Sequence, residues 1–101
     1  MSQTDPASQV LAEQRAVIDR LNRELLALLE ARGRAVELIM KLKKESGFAI
    51  SDPGREERML AGLRAAVQGP YTPEQIERVY RCIFEISREL GEHQRYRAQS
   101  R

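Results

Sequence analysis

Arg32 is the first residue in this sequence whose type and surroundings call for chemistry. It falls at the same place in a sevenfold repeat as Leu11, Ile18, Leu25 and Ile39, with Leu28, Leu29, Ala35 and Val36 as apolar neighbours. A guanidinium buried in such company is costly unless an anion meets it. Lys43 follows eleven residues later. That interval places it about 20° around an ideal helix and roughly 16 Å along it, so two long cationic side chains can converge on one small dianion. Arg15 stands at the edge of the same seam, about 25 Å from Arg32 along the axis. No single small ligand reaches both arginines within one chain. In an antiparallel pair of chains, Arg15 of one copy can come alongside Arg32 of the other. Equally available at this point is an Arg32 that pairs with a glutamate and fixes helix register.

Ser87 and Gly91 lie one helical turn apart on an apolar stripe near the C-terminus. The first offers an inward hydroxyl and the second leaves out a side chain where space is wanted; both residue types also serve simple close packing. Asp52-Pro53-Gly54-Arg55-Glu56 reads as an ordinary helix start, and gains interest only if it stands over a cationic site. Cys82 is the one cysteine and His93 the one histidine. An internal disulfide, a multi-cysteine zinc site and a histidine-based nucleophile therefore lack raw material. Cys82, between Arg81 and Ile83, reads as structural or incidental.

The elements that must hold these residues are punctuated by glycine and proline. From Val10 to Glu45 there is no proline and only Gly33 among glycines. Leu11, Ile18, Leu25 and Ile39 form one inward position of the repeat, and Leu21, Leu28, Ala35 and Leu42 the other, with Leu29 and Val36 beside them. The pattern predicts one helix of about 35 residues, about 50 Å long, which Gly33 weakens by about 1 kcal/mol against alanine. Ser46-Gly47 ends it, and Phe48-Ala49-Ile50 connects onward. Asp52 caps a second helix with Pro53 in its first turn; its apolar positions are Met59, Leu60, Leu63 and Val67, and Gly69-Pro70 stops it. Thr72-Pro73-Glu74-Gln75 is a capping box. It opens a third helix with Ile76, Val79, Tyr80, Ile83, Ile86, Ser87 and Leu90 on one stripe. Nothing alternates like a strand, so the fold class is all-α.

Length and charge set the remaining bounds. The 101 residues make one domain at most. Hydrophobic residues at 42% and charged residues at 32% are too apolar for a disordered tail and too charged for a membrane protein. No apolar run approaches the roughly 20 residues of a membrane span, and Met1 to Pro6 lacks the pattern of a secretory signal. The chain reads as a cytoplasmic protein. Its net charge of +2 comes from basic residues interspersed with glutamate, a weak footprint for nucleic acid; Lys41-Leu42-Lys43-Lys44 is the one basic stretch. A 100-residue globule has a radius of gyration near 13 Å, so two short helices of the same chain cannot cover so long a first helix. Its seam is expected to pack against a second copy, most simply as a twofold dimer. The domain core is expected at about residues 10–95, with polar tails at 1–9 and 96–101.

Taken together these residues resemble the all-α chorismate mutase family. The resemblance runs through Arg15-(x)2-Ile18-Asp19, Leu25-Leu26-Ala27-Leu28-Leu29-(x)2-Arg32, Lys43, Asp52-(x)2-Arg55-Glu56 and Ile83-Phe84-(x)2-Ser87, about residues 11 to 95. It implies three helices per chain, one long and two shorter, intertwined as a homodimer with two sites. The implied reaction is the Claisen rearrangement of chorismate to prephenate, on the shikimate route to phenylalanine and tyrosine. That reaction is unimolecular and implies neither metal nor cofactor. Arg32 and Arg15 of the partner chain are implied to clamp the substrate carboxylates, and Lys43 to donate to the ether oxygen and touch a carboxylate. Glu56 and the backbone near Asp52 are implied to hold the ring hydroxyl, Ser87 a carboxylate, and Arg55 to support the charge.

One position departs from the family. One turn after Ser87 the family commonly has Gln or Glu reaching the ether oxygen, and here stands Gly91. A lost donor of that kind costs about 10²–10³ in rate. Glu92 or Gln94 reaching in, a bridging water, or a partner protein reshaping this end are the ways to make it good, and restoring Gln at Gly91 is expected to raise kcat. Other readings remain beside the mutase. They are a regulatory or partner-activated module that binds chorismate or prephenate for another shikimate-pathway enzyme, a lyase acting on isochorismate, and a plain helical adaptor or DNA-binding dimer. The adaptor leaves Arg32 in the seam unexplained, and Asp52 with Arg55-Glu56 favours the mutase over the lyase. No nucleic-acid or membrane partner is expected.

Overall fold

The computed structural model describes residues 5–49 and 52–99, with the side chains of 92–99 left out. It contains three helices, α1 (Pro6–Ser46), α2 (Pro53–Ala66) and α3 (Pro73–Gln99), and no strand among the described residues. The sequence signals explain each boundary. Pro6 opens α1, where Asp5 supplies the first acceptors: its Oδ1 takes the Ala7 N–H at 3.5 Å and its carbonyl the Gln9 N–H at 3.0 Å. Gly47 closes the helix in the left-handed region, at φ 73°. The Phe48 N–H then returns to the Lys43 carbonyl at 3.0 Å, a Schellman closure that only a residue tolerant of positive φ permits cheaply. Asp52 accepts from the Arg55 N–H at 3.1 Å to start α2. The capping box of α3 is reciprocal: Gln75 N–H donates to Thr72 Oγ1 at 3.1 Å, and Thr72 N–H to Gln75 Oε1 at 2.9 Å.

Two boundaries differ from the sequence reading. The helical run includes residues 6–9 and 96–99, which the sequence assigned to polar tails. At the first end the cause is local, since Asp5 and Pro6 supply a cap and a first-turn proline to a stretch without core residues. Residues 1–4, 50, 51, 100 and 101, and the side chains of Glu92, Gln94, Tyr96 and Arg97, lie outside what is described.

The chain divides into two compact units, one up to Arg32 and the other from Gly33 onward. Among its described residues the first is helix from Pro6 onward. Leu11, Ile18, Leu21, Leu25 and Leu28, the inward positions of the repeat, are exposed, Leu25 by 63% and Leu28 by 69%, while Val17, Leu29 and Arg32 are half-buried.

The second unit has a core, centred on Leu60 of α2 and Phe84 of α3, both buried. Met59, Leu63, Val67, Ile76, Tyr80, Ile83 and Leu90 are half-buried around them. Tyr80 meets Phe84 in a tilted ring contact with centroids 6.4 Å apart. The stripe read along α3 is corrected here. Val79 and Ile86 are exposed, and Phe84, outside that stripe, is the buried residue, because α2 meets α3 on the face rotated toward positions 77, 80 and 84. Ion pairs line the same junction. Arg64 reaches Glu74 and Glu77, each at 3.2 Å; Arg81 reaches Glu77 at 3.1 Å and Glu57 at 3.3 Å; Arg88 reaches Glu56 at 2.8 Å. On α1, the half-buried residues Val36, Met40 and Lys43 recur at helical spacing, whereas Leu38, Ile39 and Leu42 are exposed. At Gly33, a Cβ built on the backbone meets Leu90 Cδ1 at 3.6 Å, an ordinary contact.

Candidate active site

Six of the eight residues singled out from the sequence lie in the second unit. The Asp52 side chain is committed to the α2 start, where it accepts from the Arg55 N–H, and its carbonyl accepts from the Glu56 N–H at 3.2 Å. Arg55 is exposed one turn into α2. Glu56, half-buried, is held by Arg88 Nη1 on its Oε1 at 2.8 Å. A carboxylate accepts more than one bond, so this pairing orients Glu56 and still leaves it able to accept a hydrogen bond from a hydroxyl. Arg88 was not among the residues singled out from sequence. Its signal was present, since it neighbours Ser87, but arginine on a helix face is ordinarily solvated.

Ser87 is half-buried, and its hydroxyl donates to the Ile83 carbonyl one turn back, at 2.6 Å. That is the local bond a helical serine makes readily. Lys43 is half-buried in the last turn of α1, where a cation is favoured by the exposed helix carbonyls. Gly91, also half-buried, packs against α1: a Cβ built on it collides with Met40 Sδ and lies 3.2 Å from Met40 Cε. The contact brings the α1 turn that carries Met40 and Lys43 to the α3 turn that carries Ser87 and Gly91.

Arg15 and Arg32 belong to the first unit. Arg15 is exposed and shares a face with the exposed Leu11 and Ile18, four residues before it and three after. Arg32 is half-buried. Among the described residues, no group of histidine, cysteine, aspartate and glutamate could hold a metal ion, and Cys82 is free and exposed. No helix of the described residues is long and apolar enough to cross a membrane.

Three helices, carrying cationic, carboxylate and hydroxyl groups on their faces, define the class as all-α, with no sheet among the described residues. The family model for chorismate mutase type II matches residues 14–92. The structure superposes on chorismate mutase (form II) from Thermus thermophilus with a TM-score of 0.81 and 44% identity, covering 83% of this chain and 96% of that one. Form I of the same enzyme gives 0.75 and 44%, over 76% and 96% of the two chains. Among curated proteins there is no match. The chain belongs to the chorismate mutase type II family, an isomerase family.

Proposed function

We propose that this chain rearranges chorismate to prephenate in a site that two copies build together. The observation that carries the reading is the family match over residues 14–92, a span that contains Arg15, Arg32, Lys43, Asp52, Arg55, Glu56, Ser87 and Gly91. The exposed apolar seam of α1 supports the second copy. Leucines and isoleucines exposed in register along one helix face are a partner-binding surface rather than scattered surface residues. The exposed position of Arg15 at the edge of that seam supports its entry into the other copy's site.

The reaction breaks a C–O bond and forms a C–C bond within one molecule, so it requires no nucleophile from the protein. What remains is to hold a flexible dicarboxylate in its reactive shape and to stabilise charge as the ether bond lengthens. Arg32 and Arg15 of the partner subunit clamp the carboxylates, because a planar guanidinium matches a carboxylate with two parallel bonds. Lys43 donates to the ether oxygen, where negative charge develops. Glu56, oriented by Arg88, accepts from the ring hydroxyl beside the Asp52 backbone. Ser87 turns its hydroxyl from Ile83 to a carboxylate, and Arg55 adds positive charge at the rim. The setting is the aromatic amino acid pathway inside the cell.

The test is the loss of chorismate's ultraviolet absorbance with purified protein, beside Arg32→Ala. Turnover to prephenate is expected, with kcat/KM falling by at least about 10²-fold in the variant. Light scattering is expected to give twice the 11.6 kDa chain mass. Chorismate that persists at high enzyme concentration overturns catalysis by the isolated chain. A second reading is favoured by Gly91 alone: a copy that binds chorismate or prephenate for a partner enzyme. It predicts calorimetric binding without turnover.

A further inference from the structure

We infer that Met40 is a positioning residue for this reaction: its thioether, seated on Gly91, occupies the space a side chain from α3 would need to reach the substrate beside Ser87. The inference rests on the reading under Proposed function. Its geometric half stands alone.

A Cβ at Gly91 would collide with Met40 Sδ, with Met40 Cε at 3.2 Å and Cγ at 3.7 Å. Three successive atoms of one side chain thus cover the position where any longer residue would begin. Helical side chains lean toward the N-terminus of their helix, so a residue at 91 would lie over Ser87, one turn back. Met40 itself is one turn from Lys43 on α1. The methionine therefore closes the end of the site that Ser87 and Lys43 border, and closes it with an apolar group. A polar donor from α3 is excluded there for as long as Met40 keeps this rotamer, and Lys43 is left as the donor at the ether oxygen. The obstacle is a flexible side chain and not backbone, which makes it removable: methionine has three rotatable bonds and repacks readily.

This changes the expectation that Gln at position 91 raises kcat by itself. The two positions are coupled, and a double-mutant cycle reads the coupling. Gly91→Gln alone is expected to lower Tm, the displacement of Met40 outweighing the better helix propensity of glutamine, with kcat no higher than in the parent. Met40→Ala alone leaves a gap and also lowers Tm. In Met40→Ala/Gly91→Gln the Tm is expected to recover above either single variant, and kcat to rise about tenfold or more over the parent as a donor enters. Recovery of Tm with kcat unchanged overturns the positioning role and leaves a packing pair. Additive losses of Tm, or a gain in kcat from Gly91→Gln alone without loss of Tm, overturn the inference outright. If the parent does not turn over chorismate, the catalytic reading fails and with it the positioning role, while the Tm cycle still decides whether Met40 and Gly91 share one space.

Discussion

The two halves of this chain spend their apolar residues in opposite ways. From Gly33 onward, α2 and α3 bury Leu60 and Phe84 against each other, and Arg64–Glu77, Arg81–Glu57 and Arg88–Glu56 pair across the junction. Up to Arg32, a helix richer in leucine leaves all but Leu29 of those leucines exposed, at regular heptad spacing. Hydrophobic content is thus no measure of self-sufficiency. A sheet or helix pair closes its own core, but one helix cannot bury its own seam. The stretch of α1 up to Arg32 exposes a regular apolar seam, and the α2–α3 pair holds a small core within one chain.

That contrast can be broken from either side. The largest effect is expected from charging the seam. Leu28→Glu places an unpaired carboxylate in each half of the proposed interface, where desolvation has no compensation. Light scattering is expected to report loss of the dimer, and the absorbance assay a fall in turnover of about 10²-fold or more. A variant that stays dimeric and active would remove the contrast. Cutting the core comes next: Leu60→Ala is expected to cost about 2–5 kcal/mol in urea unfolding, because Leu60 is only 2% exposed. A cost well under 1 kcal/mol would show that the α2–α3 core stabilises little by itself.

The smallest effect concerns acid. Glu74 has its carboxyl held below the usual carboxylate range, first by a bond from its own backbone N–H at the start of α3, then by Arg64. A carboxyl lowered in the folded state contributes stability above its unfolded value, and loses it as pH falls through the folded one. Glu74 is fully exposed, so solvent screens most of the effect. Glu74→Gln is expected to flatten slightly the acid side of the Tm-against-pH curve, with little change near neutrality. A change of equal size at every pH would show that the residue acts only as a helix-start contact.

Much of the fold was legible because helix ends are decided locally. Gly47, Asp52 with Pro53, and Thr72 with Gln75 announce their roles by residue type, and each plays that role in the structure. The heptad pattern was legible for a different reason: period seven is a property of the sequence itself, and the structure leaves most of those positions exposed along α1. Phe84 was not legible as core, since a third helix touching one neighbour closely can turn its buried face by one residue without altering its apolar count. Nor was the Arg88–Glu56 pair, which joins residues 32 positions apart through the α2–α3 packing. For the site, sequence supplied the residue types and the family. It could not supply Met40, because methionine at a half-buried helix position carries no signal until a glycine is found beneath it.

Ser87 carries a consequence for affinity. Its proton already has an acceptor in the Ile83 carbonyl, 2.6 Å away, so an empty site leaves no orphaned donor. Binding a carboxylate there is then an exchange of acceptors, not the filling of a vacancy. Only the surplus of a charge-assisted bond over a neutral one is available, and such bonds are roughly twice as strong. On the proposed reading, a departing carboxylate returns the hydroxyl to the Ile83 carbonyl of its own helix turn, so release leaves no donor unsatisfied.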